Sequence, residues 1–553
     1  MTTGQSENSD RGPAGRRCEV EGASAQAKGS MNEREFSRRS FLKGGGALVV
    51  GLGLASAGFA GKTSASSSLV RRRTASSLPT TLTVATDASF SHLDDQAAVG
   101  SGEEVKQFLN YNVTQTLLRL DHNHNLQPLL AESWKITQPG VVQFSLQKGI
   151  FFSDGAPWNA AAAQTNFNRM MTLPGSSSYS TEFPSVYQVT VVDPYTIQLS
   201  YHPDPDIPFV FATSAMMYSP QQIQNNPSSI AQGPIGTGPY SIQNFNIATG
   251  MTLVAGDTYF GKRTQIKTVN FNFIGDEGAR TAALKAGQAD LVINLQPSDV
   301  SSFPKDQVVF NEGYEIYNIR FGLHDPLSND HRVREAISLA IDRSALIKLF
   351  SGYATAAQGY QLWPSWVTGA FKQPVVKQNV SQAKALIQQA GATGKTVTMI
   401  CPTVRYPGLQ QVAEAIQNMV QQIGLSVNLQ EIDYNDWLVV TREVTAPTTM
   451  IFGSFGYDTG FDATTNLVKK VMCGGVNSTF CDPQFDYLAD EAINQTDSTK
   501  RAPIIKQLTH ILAHEIPYIP LVNPATIYGK AAKLSMQTYP NGFLAFANMH
   551  WNQ

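Results

Sequence analysis

VTMICPTVRYPGLQQVAEAIQNMVQQIGLSVNL, residues 397–429, sets the fold class. Val397–Ile400 is a short apolar run in the pattern of a buried strand, and Cys401 behind it reads as a small core residue. Leu409–Ile423 reads as a helix, with Gly424 placed to cap its C-terminus. Leu425–Leu429 returns to strand. Strand, helix, strand in this order argues for an α/β layer with a parallel pair, because parallel neighbours need a crossover between them.

The same alternation extends outward. Leu82–Ala85 reads as a strand and Glu103–Leu118 as a helix. Leu129–Trp134 and Val141–Leu146 bracket a turn. A helix is expected after Pro157, through Ala160–Met170. Val189–Leu199 returns to strand, turning at Asp193-Pro194. Val333–Phe350 is expected as one long helix, with Val333, Ile337, Ala340, Ile341 and Ile347 on one face. Leu521–Trp551 closes the chain in strands and turns. The densest turn cluster is GPIGTGPY, Gly233–Tyr240. A phosphate loop would need a helix after it and usually a lysine, whereas Tyr240-Ser241-Ile242 leads into a strand. It reads as a tight crossing between domains.

The 553 residues carry 41 basic and 43 acidic side chains, a net charge of −2. No basic face stands out, so nucleic acid is not an expected partner. In SRRSFLKGGG, Ser37–Gly46, an arginine pair precedes a charge-free, glycine-rich run that ends at Ala60. That run is short of the roughly 20 apolar residues a membrane span needs. Charge, a short apolar run and then small residues is an export-signal layout. Arg38-Arg39 with Phe41-Leu42-Lys43 resembles the twin-arginine signal, which implies a translocase that carries folded proteins. A start at Met31 would make the leader an ordinary short one, leaving 1–30 as a misread start or a dispensable extension. Cleavage fits after Ala57 or Ala60. No cysteine lies near either site, so no lipoprotein anchor is apparent. Residues 61–80 read as a solvated linker. Cys473 and Cys481 flank a seven-residue loop and fit a small disulfide in an oxidising compartment. Their spacing matches no common zinc pattern.

Several phrases together resemble one family, the solute-binding proteins of peptide, nickel and related uptake transporters (family 5). They are Leu130-Ala131-Glu132-Ser133-Trp134, Phe152-Ser153-Asp154-Gly155-Ala156-Pro157, Pro234–Tyr240, Arg332–Ala336 with Ala340-Ile341-Asp342-Arg343, and Ile516–Leu521. Departures, such as Ala160–Ala163 after Asn159 and Gly322 after Phe321, mark a divergent branch. The resemblance implies an α/β, bilobed, periplasmic-binding-protein-like clamp of the large class with an extra inserted domain. Lobe I would comprise 81–104, 228–317 and 521–553, with 105–227 inserted into it; lobe II would be 318–520. It implies a monomeric, extracytoplasmic, non-enzymatic substrate-binding component of an ABC transporter, with a permease and ATPase as partners. Peptide is the leading ligand.

A buried zwitterion needs both charges paired. In peptide-binding members an Asp after a Trp-containing loop holds the amino group. The matching region is Gly453–Asp462, which makes Asp458 the anchor, Phe455 the replacement for the tryptophan, and Gly456 and Tyr457 neighbours of the site. Asp462 is the alternative anchor, and an Asp that merely caps its own turn is the plainer reading. Arg405 resembles the arginine that grips the ligand carboxylate; a surface arginine is equally in keeping. Trp363 and Phe90 are cleft aromatics or packing. His510 and His514 lack a third ligand and read as helix-face residues; His122 and His124 read as solvated in a polar turn. No metal or cofactor is expected. Two rivals stand: the same fold holding an oligosaccharide or a metal chelate, and an exported hydrolase or redox enzyme, for which no nucleophile elbow or haem motif is present.

Overall fold

The computed structural model describes residues 78–553 except 88–91, 97–101, 139, 174–185, 203, 404–405, 443–448, 458–459, 477 and 540. The export-signal residues Arg38 and Arg39 lie outside this range, as do Phe90, Arg405 and Asp458.

Three sheets carry the fold. The first has seven strands, in the order Val308–Asn311, Thr526–Lys530, Leu291–Ile293, Thr81–Thr86, Thr268–Phe273, Gly250–Ala255, Tyr240–Asn246. Its central strand Thr81–Thr86 is parallel to both of its neighbours. The second has six strands, in the order Ala354–Ala356, Tyr518–Pro524, Glu315–Phe321, Met450–Gly456, Thr396–Pro402, Ser426–Ile432. The third is a four-stranded antiparallel sheet built from Ala131–Gln138, Val141–Leu146, Thr196–Tyr201 and Val186–Asp193. Its own core includes Phe144, Phe167, Ile197 and Phe211. The architecture is the bilobed clamp with an inserted four-stranded subdomain. Among the described residues no helix is long and apolar enough to cross a membrane.

Thr396–Pro402 and Ser426–Ile432 form the expected parallel pair. The connecting helix Leu409–Gln421 buries Leu409, Val412, Ala413, Ile416 and Val420, a stripe at helical spacing. Gly424 behind it holds φ +95°, the left-handed conformation glycine reaches without a Cβ penalty. Cys401 is fully buried in the same core.

Two expected helices are shorter than their apolar patterns. The first ends at Leu109, where the Leu109 carbonyl accepts from the amides of Asn112, Val113 and Thr114, and Tyr111 turns at φ +70°. The second breaks into His331–Ala340 and Arg343–Leu349. Ile341 turns extended after the first segment and Asp342 caps the next, its carboxylate accepting from the Ser344 and Ala345 amides at 2.9 and 3.2 Å.

The GPIGTGPY cluster is a crossing. Gly238 N–H donates to the Val113 carbonyl and Tyr240 N–H to that of Asn112. A Cβ on Gly236 or Gly238 would stand 2.1 or 2.3 Å from those chains.

Candidate functional site

Strands Thr396–Pro402 and Met450–Gly456 are parallel, so their carboxyl ends lie on one side of the six-stranded sheet. In open α/β sheets that is where ligands bind. A pocket of about 690 Å³ runs along Met450–Gly456, from Ile451 and Arg320 at one end to Gly456 and Glu315 at the other, and is lined also by Asn318, Tyr406, Trp437, Phe455 and Lys470.

The charged residues come from an unexpected place. Every residue of Glu315–Phe321 is buried. Because side chains alternate along a strand, Tyr317, Ile319 and Phe321 enter the helix-covered core while Asn318 and Arg320 turn to the pocket. Arg320 donates through Nη2 to the Thr441 carbonyl at 3.0 Å, and burial draws its guanidinium below the usual arginine range. Glu315 stands opposite Gly456 in the neighbouring strand. Lys470 Nζ lies 5.0 Å from the Phe455 ring centroid. Ser454 Oγ is buried without a hydrogen-bond partner among the described residues.

The wall is aromatic. Tyr434 and Trp437 stack at 5.8 Å, 15° from parallel, and Tyr406 meets Trp437 edge-on at 6.4 Å. Trp437 Nε1 donates to the Phe452 carbonyl. The indole can lie on the strand only because residue 453 is glycine: a Cβ there would sit 2.3 Å from its ring.

Of the residues expected from sequence, Phe455 and Gly456 line this pocket. Tyr457 is buried, and burial pushes its phenol well up; Asp206 and Asp462 stand near enough to add to the shift. Trp363 lines a second pocket of about 750 Å³ together with Gln361, Ser365 and Asn523. It is 3% exposed, and its indole N–H has no partner among the described residues. Trp363, Phe455 and Tyr457 share one apolar cluster. Asp462 is fully committed: it pairs with Arg501 and accepts from the Thr464 amide at the start of the next helix. Cys473 and Cys481 are disulfide-bonded, with their Cα atoms 4.4 Å apart.

His124 departs from the expectation of a solvated turn. It is half-buried, stacked on Trp366 at 4.5 Å and 12°, and desolvation lowers its pKa. The partner that removes it from water, Trp366, lies more than 200 residues away. His122 is exposed and contacts Thr538 and Tyr539. His510 and His514 lie on the helix Ser498–Glu515, and His514 pairs with Glu515.

Sequence reading missed Glu315, Asn318, Arg320, Tyr434, Trp437 and Lys470. For the first three a signal existed: polar residues recurring in a strand that is otherwise wholly apolar.

Residues 125–469 match the family described as bacterial extracellular solute-binding proteins, family 5 Middle. The di/tripeptide-binding protein 1 of Pseudomonas aeruginosa is 26% identical over 446 residues, covering 72% of this chain and 81% of its own. The ABC transporter-associated periplasmic binding protein DppA of Helicobacter pylori, solved with the peptide STSA, superposes with TM-score 0.73 at 20% identity, covering 86% of this chain and 98% of its own. NikA of Staphylococcus aureus, solved with Ni(L-His)2, gives 0.74 at 17% identity, covering 86% and 100%. The chain belongs to family 5 of the bacterial extracellular solute-binding proteins.

Proposed function

We propose that this chain is the extracytoplasmic substrate-binding component of an ABC uptake transporter and that it takes short peptides of two or three residues. The observation that carries the reading is the pocket along Met450–Gly456, with Glu315, Arg320 and Lys470 set among Tyr406, Trp437 and Phe455. A zwitterion entering such a site meets both signs of charge, and an apolar side chain meets aromatic faces. The relatives' peptide-binding names point the same way. Asp458 remains the proposed anchor for the amino group and Arg405 for the carboxylate, with Phe455, Gly456, Tyr457, Trp363 and Phe90 as neighbours. The protein works as a monomer, is exported by the twin-arginine route, and hands its ligand to a permease by closing its lobes.

The test is native mass spectrometry of protein purified without refolding, with the bound species released and sequenced. Two- and three-residue peptides are the expected result. In titrations with trialanine, Asp458→Ala and Arg405→Ala each weaken binding by roughly tenfold or more, the cost of a lost charge-assisted contact. A released sugar or nickel–histidine chelate, with both variants binding as the parent does, sinks the peptide reading and leaves the fold and family standing.

A further inference from the structure

Phe461 belongs to the six-stranded lobe by its backbone. Its carbonyl accepts from the Thr368 amide at 2.8 Å, and Ala463 N–H donates back to the Thr368 carbonyl. Apart from its contact with Trp366, its side chain packs outside that lobe. It is 2% exposed within the core of the four-stranded subdomain. There it stacks on Phe209 at 5.1 Å and meets the edge of His124 at 5.5 Å. Trp366, also from the six-stranded lobe, follows it and lies flat against His124.

The polar contacts repeat the pattern. Asp206 occupies the N-cap position of the helix Ile207–Thr213, where an aspartate ordinarily accepts from its own helix. It makes no such bond. Its Oδ1 accepts instead from the Phe461 amide at 2.8 Å, across to the other lobe. Asp204 Oδ1 accepts from Thr465 Oγ1 at 2.9 Å, with Lys469 Nζ 4.0 Å from its other oxygen. The Phe461 peptide is thus held on its carbonyl side by one lobe and on its N–H side by the other.

We propose that Phe461 with Asp206 and Asp204 forms a latch that holds the four-stranded subdomain against the six-stranded lobe without any ligand, and so sets the closed fraction of the free protein. This rests on the clamp reading but not on peptide as the ligand. A protein whose binding-competent state is already populated gives up less affinity to closure, because apparent affinity scales with the competent fraction. Each latch residue therefore tunes affinity without touching ligand.

The experiment is double electron–electron resonance on ligand-stripped full-length chain, spin-labelled at Thr190→Cys and Lys395→Cys. Both positions are exposed, one on each side of the latch. The parent should give a short, narrow distance distribution. Asp206→Ala and Phe461→Ala should each shift the open-to-closed ratio about tenfold or more toward open, as loss of a buried phenylalanine implies. Phe461→Leu keeps the apolar seat and the amide, and should stay mostly closed. Thr465→Val removes only a hydroxyl and covers the case in which the alanine variants fail to fold; it should widen the distribution partially. A parent already open, or Asp206→Ala, Phe461→Ala and Thr465→Val all matching a closed parent, would overturn the latch. The mass-spectrometric result bears on the ligand alone.

Discussion

Asp206 is a carboxylate that the fold surrounds with other carboxylates. It is buried beside Asp204 and Asp462. Desolvation, then the two neighbouring carboxylates, push its pKa well above the ordinary carboxylate range. The groups facing it are Asp204 on its own loop, Asp462 with its partner Arg501, Lys469 beside Asp204, the Tyr457 phenol, and the Phe461 and Thr465 donors. Among the described residues its Oδ2 has no hydrogen-bond partner. The sign follows from linkage. A carboxyl whose pKa is raised in the native state binds its proton more tightly there, so its contribution is intact below the ordinary carboxylate range and is lost as pH rises toward the raised value. Across that window each pH unit costs ~1.4 kcal/mol. Asp206→Asn keeps the acceptor for Phe461, drops the charge and offers an N–H where Oδ2 stands. Thermal midpoints of parent and variant should therefore coincide near pH 4, with the variant ahead increasingly as pH rises. A constant offset at all pH values would show that Asp206 does not titrate with stability.

The site was legible at this scale only where a chemical phrase marked it. Phe455 and Gly456, from the Gly453–Asp462 phrase, line the pocket. Arg320 was hidden because nothing local shows that one face of its strand meets a pocket instead of core. The arginines of the Arg332–Arg343 phrase turn out to be structural. Arg334 donates to the Ser328, Asn329 and Glu515 carbonyls, and buried Arg343 to that of Pro520.

Among the elements, the Gly233–Tyr240 crossing separates two reasons for a glycine. Gly236 and Gly238 are needed for space, since their missing Cβ atoms would overlap backbone at 113–114 and 112–113. Gly233 has nothing within 4 Å of where its Cβ would lie. Gly238→Ala should accordingly lower the urea midpoint by an amount equivalent to about 1–3 kcal/mol, the cost of overpacking a tight contact. Gly233→Ala should stay within about 0.5 kcal/mol of the parent. Equal effects would mean that the crossing yields and the close approach is incidental. The elements around it were largely readable, because apolar periodicity reports burial directly. Their ends were not. Asp342 interrupts an apolar stripe that continues on both sides, so the stripe alone predicts one helix where the cap makes two.

In the whole molecule, the six-stranded sheet is drawn from one stretch, Glu315 to Pro524, whereas the seven-stranded sheet is assembled from both ends of the described chain. The seven-stranded sheet pairs Leu291–Ile293 with Thr81–Thr86 on one side and Thr526–Lys530 on the other. The six-stranded sheet takes Tyr518–Pro524 just before the chain crosses back. The two crossings touch: Asn523 Nδ2 donates to the Gly313 carbonyl, and a Cβ on Gly313 would lie 1.7 Å from the Pro524 carbonyl oxygen. The seven-stranded sheet cannot be completed until Thr526–Lys530 is present, and such long-range pairing is slow to form. A chain of this kind gains from folding before it crosses a membrane, which is what the Ser37–Lys43 phrase would arrange. Replacing Arg38 and Arg39 together by lysine should leave the protein inside the cell, folded and with the parent's thermal midpoint, while the parent accumulates outside the inner membrane. Undiminished export of the double variant would show that the arginine pair is not the signal and that the chain crosses unfolded, despite a topology that needs both of its ends.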